Sequence, residues 1–231
     1  MRDIAFNDKW MSELPFRCEL VDYHVEFPSV EKESVTLAGR HGRRPMFKRF
    51  DTKMIHLTLH VPMVSERLEW TETRDALSAW LPFYEDVTIT YDDTERYDIG
   101  HIESVEIVDE FRPTLLFNVT INAEPYSQTD WITGSENVLN YKGNIPSPLR
   151  FFVNGGGTVT VSNTHGKRTD KLVVENASGY IEIDGWNKEV RVNHELVVLE
   201  VSGRFPELKH GTNEIKIEGA TGEYWYKELY K

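Results

Sequence analysis

The 231-residue sequence is poor in cysteine and has no long apolar run. Its single cysteine, Cys18, excludes an intrachain disulfide and a cysteine-based metal cluster, and we expect it to be a small buried side chain. No stretch approaches the roughly 18 apolar residues that a membrane-spanning helix needs, and the starting sequence MRDIAFNDKW lacks the apolar core of a signal peptide. We therefore expect a protein made in a reducing cytoplasm and able to build a hydrophobic core.

The motifs of common enzyme classes are also missing. The sequence contains no Gly-x-Ser-x-Gly nucleophile elbow, no His-Glu-x-x-His zinc motif and no phosphate-binding Gly-x-x-x-x-Gly-Lys loop. The glycine run NGGGT, residues 154–158, is predicted to form a turn between two strands. His56 and His60 would lie about 13 Å apart along an extended strand, too far to share one metal ion, so we interpret them as residues of a polar strand face. The sequence predicts no catalytic residue, metal or cofactor.

Alternation of apolar and polar residues predicts a mainly β protein. TKMIHLTLHVP (52–62) and TLLFNVTINAEP (114–125) have the pattern of half-buried strands, and TITYDDTERYDI (88–99) that of a hairpin turning at Asp92 and Asp93. One segment, TRDALSAWL (73–81), has the apolar spacing of a helix. Further on, short strands recur at intervals of roughly ten residues, as in a β-sandwich. A stretch rich in Pro, Gly, Ser and Asn separates the two parts, so we predict two domains, residues 1–130 and 131–231.

Charge is distributed unevenly along a chain whose formal net charge is -12. Residues 40–53 carry six Lys and Arg side chains against one carboxylate, whereas residues 85–110 carry ten carboxylates against Arg96 alone. Such segments can pair head to tail between copies of the chain, and contacts of this kind close rings. The predicted subunit interface comprises Arg40, Arg43, Arg44, Lys48, Arg49 and Lys53 on one copy and Asp92, Asp93, Glu95 and Asp98 on the next.

Two other interpretations of the basic segment remain open. It can fold back onto the acidic residues of its own domain, or lie solvated at the surface. Nucleic-acid binding is disfavoured, because the surrounding carboxylates repel a polyanion. An acidic ring would instead let DNA pass through its lumen without adhering.

The order of these segments resembles that of the distal tail proteins of long, flexible-tailed bacteriophages, the siphoviruses. In the first part, the resemblance rests on VTLAGRHGRR before the strand TKMIHLTLHV, on the helix ending ALSAWL before the acidic hairpin, and on FRPTLLFNVTINAEPY. In the second part, it rests on PSPLRFFVNGGGTVTVSN, GYIEIDGWNKEV and GRFPELKHGTNEIKIEG. The resemblance covers nearly the whole chain through patterns of turns and apolar positions.

This resemblance implies a fold and a function. The N-terminal part would be a ring-forming β-sandwich or barrel-like domain with one helix, and the C-terminal part a galectin-like, jelly-roll type β-sandwich. The chain would be a structural virion protein of the tail tip, made in the host cytoplasm. As a homohexameric ring, this baseplate hub component would join the tail tube to the adhesion device and leave a channel for DNA. Its partners would be the tail tube protein, the tape measure protein and a tail-tip hub or receptor-binding protein.

The alternative function is that of a carbohydrate-binding module that recognises host cell-wall glycans. Trp186 follows the turn signal Asp184-Gly185 and offers an aromatic face, while Asn187, Glu189 and Arg191 offer partners for sugar hydroxyls. However, RVNHEL (191–196) has a different order of His, Asn and Arg from the cluster that galectins place on one strand. Trp186 is otherwise a structural side chain or a contact with another tail protein.

Overall fold

The computed structural model describes residues 3–36, 43–62, 69–111, 114–198 and 200–231. The chain divides into two compact units, Met1–Ser127 and Gln128–Lys231, where the sequence predicts a boundary between residues 130 and 131. No helix in the described part of the chain is long and apolar enough to cross a membrane.

The N-terminal unit is an antiparallel sheet that packs against a helix. A 3-10 turn spans Met11–Glu13, and helix α1 spans Glu69–Trp80. The strands are β1 (Ile4–Phe6), β2 (Lys9–Trp10), β3 (Glu19–Glu26), β4 (Val30–Thr36), β5 (Arg43–Phe50), β6 (Lys53–Pro62), β7 (Val87–Tyr91), β8 (Tyr97–Phe111) and β9 (Thr114–Ala123). Their order across the sheet is β2-β1-β7-β8-β9-β6-β3. Strands β4 and β5, which lie between β3 and β6 in the sequence, form a separate two-stranded sheet. The predicted strands β6 and β9, the β7–β8 hairpin and helix α1 are confirmed.

The core of this unit follows from strand alternation. Every second residue of β6, such as Ile55 and Leu57, is fully buried, and the residues between them are half-buried. Trp80 of α1 closes the core against Phe6, with ring centroids 4.9 Å apart, and its indole nitrogen donates to the Lys9 carbonyl at 2.8 Å. Cys18 lies in the same core, where burial raises the pKa of its thiol to about 12. Its role is therefore structural.

The C-terminal unit is a β-sandwich built around the long strands β14, β15 and β20. Its strands are β11 (Ile132–Gly134), β12 (Val138–Tyr141), β13 (Ser147–Pro148), β14 (Arg150–His165), β15 (Arg168–Asp184), β16 (Glu189–Val192), β17 (Glu195–Leu196), β18 (Val201–Gly203), β19 (Glu207–Leu208), β20 (Gly211–Tyr226) and β21 (Leu229–Tyr230), after β10 (Ser127–Gln128) at the division between the units. The main order is β11-β20-β14-β15-β16-β17, with β12 also paired to β20 and β18 to β15.

The glycine run of residues 154–158 does not form a turn between two strands, as predicted, but lies inside β14. The ladder to β15 continues through it, with register shifts towards both neighbouring strands. Gly157 and Gly219 have φ values of 79° and 77°, which favour glycine, so the strands bend here without separating. Both halves of β14 then contribute to one core, through Phe151 before the bend and Val161 after it. Because the bend does not end the strand, the segments before and after the glycine run form one long strand, where the sequence predicts short ones.

Candidate functional site

Lys53, the first residue of β6, and Asp98 of β8 form a buried ion pair in the N-terminal unit. The ammonium nitrogen lies 2.6 Å from the carboxylate, and the two side chains are 7% and 2% exposed. Lys53 also donates to the Ser127 hydroxyl at 3.1 Å, and the Tyr91 hydroxyl donates to the second Asp98 oxygen at 3.0 Å. Burial and the Asp98 charge raise the pKa of Tyr91 well above its ordinary value. Because both charges are enclosed and paired within one chain, the predicted interface is corrected at these two positions.

The other predicted interface residues belong to two hairpins whose bases meet at this ion pair. Lys53 follows the β4–β5 hairpin after two residues, and Asp98 follows the turn between β7 and β8. In that turn Asp92, Asp93 and Glu95 are exposed. The backbone register places Arg43, Arg44, Lys48 and Arg49 along β5, and Arg40 lies outside the described residues. The structure thus brings the base of the basic β4–β5 hairpin next to the base of the acidic β7–β8 hairpin.

A cavity of about 250 Å³ lies beside the acidic turn. It is lined by Tyr23, Tyr91, Asp93, Thr94, Arg96, Asp98 and Ser127. The rings of Tyr23 and Tyr91 meet edge to face, with centroids 5.4 Å apart. The lining thus combines the Asp93 and Asp98 carboxylates with the Arg96 guanidinium.

Strands β8, β9, β6 and β3 present a polar face on the side of the sheet away from its core. Directly paired residues share a face, so the register defines this polar face row by row. The rows are His101, Asn122, Met54 and Glu26; Ser104, Thr120, His56 and His24; Glu106, Asn118, Thr58 and Asp22; and Leu116, His60 and Glu19. The set contains four histidines and four carboxylates, and neither lysine nor arginine. Arg17, just before β3, forms an ion pair with Glu19 at its edge.

Side chains on this polar face bond mainly to one another. The Thr58 hydroxyl donates to the Asn118 side chain at 2.9 Å, and His56 Nδ1 lies 3.4 Å from the Thr120 hydroxyl. His24 stacks on His56, with ring centroids 6.1 Å apart. The interpretation of His56 as a polar-face residue is therefore confirmed. Within the described ranges, no group of three His, Cys, Asp or Glu side chains is arranged to hold a metal ion.

In the C-terminal unit, the structure brings together three of the four predicted carbohydrate-contacting residues. Asn187, Glu189 and Arg191 line a cavity of about 220 Å³ together with Glu182 and Asp184. Asp184 shapes the adjoining turn, since its Oδ1 accepts hydrogen bonds from the backbone nitrogens of Trp186 at 2.8 Å and Asn187 at 3.2 Å. Burial raises the pKa of Asp184, but the bonds from Asn187, Arg150 and Trp186 outweigh this and hold it below its ordinary value.

Trp186 itself is not part of that cavity lining. Its ring packs edge to face on Trp131, with centroids 5.8 Å apart, and its indole nitrogen is buried without a hydrogen-bond partner in the described part of the chain. The Arg150 guanidinium lies 4.7 Å above the Trp131 ring and 2.6 Å from Asp184. Trp186 therefore supports the turn, and its side chain is half-buried.

Sequence analysis missed a band of aromatic rings on the outer face of the same sheet. Trp225 of β20, Phe152 of β14, Tyr180 of β15 and His194 after β16 succeed one another with centroid distances of 5.5, 6.5 and 5.5 Å. The signal that could have identified them is their phase. Phe152 lies between the buried residues Phe151 and Val153, so its ring points away from the core.

The fold of this chain is similar to that of a phage tail hub protein of known structure. The crystal structure of phage SPP1 Dit, described as a paradigm of the hub adsorption apparatus of phages that infect Gram-positive bacteria, matches over 100% of both chains with a TM-score of 0.77 and 12% identity. Chains of the phage p2 baseplate in its activated conformation match with 10% identity. With Sr the TM-score is 0.45, covering 98% of both chains; with Ca it is 0.46, covering 99% of this chain and 98% of that one. No protein-family model matches the sequence. No curated protein sequence matches it either.

Proposed function

We propose that this chain is a structural, non-enzymatic subunit of a phage tail-tip ring. The observation that carries the proposal is the match of its entire length to the Dit fold. In this function the chain is a virion protein that assembles as a hexamer. It joins the tail tube and tape measure proteins to the tail-tip hub or receptor-binding protein, and it leaves a passage for DNA.

The proposed subunit contact is head to tail. Arg40, Arg43, Arg44, Lys48 and Arg49 of one copy would meet Asp92, Asp93 and Glu95 of the next. Pairing like patches leaves the basic hairpin and the acidic turn without opposite charge. A heterologous contact matches them at every subunit, and it forms a ring where the rotation between subunits closes. The contact is supported by the Lys53–Asp98 pair, which holds the bases of the two hairpins in a fixed relation within each copy.

The polar face of β8, β9, β6 and β3 is the proposed lining of the passage. Its charged groups are carboxylates and histidines, so at neutral pH it repels the phosphates of DNA. The Thr58 hydroxyl already donates to the Asn118 side chain, so this donor is not available to DNA. Such a surface favours passage over adhesion.

The assembly state of the purified full chain tests this function. We expect mass photometry to detect hexamers and negative-stain electron microscopy to show closed rings with a central channel. Replacing Arg43→Glu together with Arg44→Glu should abolish these rings at moderate salt, because the acidic turn would then face like charge. The matched control, Lys167→Glu with Lys171→Glu, makes the same change in charge at exposed positions of the other unit and should assemble normally. If the unchanged chain stays monomeric at high concentration, the ring is contradicted. If the Arg43→Glu, Arg44→Glu variant still forms closed rings, the proposed contact is contradicted.

A further inference from the structure

The aromatic band of Trp225, Phe152, Tyr180 and His194 lies on one sheet face with a row of charged residues. The strand register places Phe152 directly between Glu223 and Glu182 on the neighbouring strands, and Arg191 beyond Glu182. Phe152 and Tyr180 are near-parallel, with an angle of 21° between their planes, and Trp225 stands edge-on to Phe152. Phe152, Tyr180 and Trp225 are half-buried and form a shallow surface, while His194 at the end of the band is exposed.

Glu182 connects this band to the neighbouring polar cavity of about 220 Å³. On the cavity side, Asn187 donates to Asp184 at 3.0 Å and Arg191 to Glu189 at 3.0 Å. Glu182 is half-buried and makes no hydrogen bond or ion pair to any described residue. The site therefore offers a carboxylate with free acceptor capacity beside an aromatic surface, with amide and guanidinium donors within the same cavity.

We propose that this face binds a neutral glycan. A hexopyranose ring has an apolar C–H face that packs on aromatic rings, and hydroxyl groups around its edge that both donate and accept hydrogen bonds. The band would hold the sugar faces through Phe152, Tyr180 and Trp225, while Glu182, Asn187 and Arg191 would bind hydroxyls in the cavity. Ligand sites combine aromatic side chains with a few placed polar groups, and here the aromatic band and the polar cavity adjoin at Glu182.

The charge of the face selects among glycans. Glu182, Asp184, Glu189 and Glu223 outnumber the neighbouring cations Arg150, Arg191 and Lys227. Arg150 and Arg191 are each already paired with a carboxylate. A glycan that carries phosphate or uronic acid groups would meet net negative charge and be repelled. The expected ligand is therefore an uncharged polysaccharide, and the site is independent of whether the chain forms a ring.

Trp186 has a positioning role in this site. Its ring packs on Trp131, which in turn lies against the Arg150 guanidinium, and Arg150 holds Asp184 at the base of the cavity. This chain of contacts fixes the turn that carries Asn187. In this proposal the sugar packs on Phe152 and its neighbours, whereas the sequence suggests Trp186 for this role.

A glycan array probed with the full-length chain tests the proposal, using neutral oligosaccharides of glucose, galactose and N-acetylglucosamine beside uronic-acid and phosphate-bearing glycans. We expect binding to at least one neutral series and none to the anionic ones. For the best neutral oligosaccharide, titration calorimetry should give at least a tenfold weaker affinity for Glu182→Gln and no measurable binding for Phe152→Ala. Tyr84→Ala removes a 99% exposed ring in the other unit and should bind as the unchanged protein does.

Several outcomes would overturn the proposal. An array without any neutral glycan signal would do so, as would preferred binding to anionic glycans. Because Phe152→Ala could unfold the unit, its thermal melt is measured first, and Glu182→Gln serves as the variant that leaves the packing intact. An unchanged affinity in a folded Glu182→Gln variant would place any glycan elsewhere on the molecule. Ring assembly is measured separately, so failure here leaves the tail-tip function standing.

Discussion

Lys53 and Asp98 lie 45 residues apart in the sequence and 2.6 Å apart in the fold, where they form an almost fully enclosed ion pair. Both were expected at a subunit surface, yet each occupies a core-facing position at the end of its strand. Tyr91 and Ser127 complete the pair by bonding to the second carboxylate oxygen and to the ammonium group. This ion pair connects the base of the basic β4–β5 hairpin to the base of the acidic β7–β8 hairpin.

Replacing Asp98→Asn should destabilise the N-terminal unit by about 3 to 5 kcal/mol, because the buried Lys53 ammonium loses its counter-charge. The double variant Lys53→Met with Asp98→Leu should be more stable than Asp98→Asn and recover most of this loss, since an apolar pair leaves no buried charge. Urea denaturation of the full chain measures both. Glu95→Gln, in the exposed turn, is the control and should change the free energy of unfolding little. Equal stability of Asp98→Asn and the unchanged protein would contradict the enclosed pair.

Replacing Gly219→Ala should destabilise the bend of the C-terminal sandwich more than Gly166→Ala does. Both glycines have positive φ, at 77° and 59°, so either alanine costs about 1 to 2 kcal/mol of backbone strain. At Gly219 the new Cβ would also lie 2.2 Å from the Thr158 carbonyl oxygen, whereas at Gly166 nothing lies within 4 Å. The difference in melting temperature between the two variants measures the destabilisation caused by the Cβ clash, since both variants share the backbone strain. Equal melting temperatures would mean that the strands do not cross closely at this bend.

The C-terminal unit should lose stability in acid through Asp184. Its carboxyl pKa is lowered in the folded state, so its contribution is present above the unfolded value near pH 4 and is lost as pH falls through the lower folded value. Asp184→Asn removes this dependence and should give a flatter stability curve below about pH 4. Denaturation of both proteins between pH 2 and 6 measures the difference in slope. Parallel curves would show that Asp184 keeps an ordinary carboxyl pKa.

Reversing charge on the polar face should make the chain adhere to DNA. Asp22→Lys with Glu26→Lys adds two cations to the edge strand β3, where both side chains are exposed. We expect salt-sensitive binding of a short duplex by fluorescence anisotropy, and none by the unchanged protein. Glu214→Lys with Glu218→Lys makes the same change at exposed positions of β20 and tests for non-specific attraction. If both double variants bind equally, the polar face has no special relation to DNA.

The parts of the fold that could be predicted depend on local pattern. In β6 and β9, apolar and polar residues alternate with a period of two. This pattern is visible within each segment alone, so the strands and their buried faces could be identified. The same pattern places Lys53 in phase with Ile55, which indicates burial, although Lys53 was predicted at the subunit interface. It could not identify Asp98 as the partner, because that depends on the order β8-β9-β6 in the sheet.

The candidate sites were predicted less well than the strands. Asn187, Glu189 and Arg191 are close in sequence and do share a cavity, because a short turn and strand bring them together. The aromatic band unites Phe152, Tyr180 and Trp225 from strands that pair only in the finished sheet. No local pattern reveals such a set, although the outward phase of each ring is visible one strand at a time.

The sequence by itself determined which residues alternate, where turns are favoured and how charge divides between two hairpins, since these properties depend on near neighbours in the chain. Tertiary structure decided what the glycine run does, because a residue with positive φ suits a turn or a bend equally well and the flanking strands select between them. It also decided that Lys53 is paired, that Trp186 is a support and that Phe152 faces outward among other rings. Contacts between residues that are distant in the sequence determine all three, and these form only when the whole sheet packs on its core.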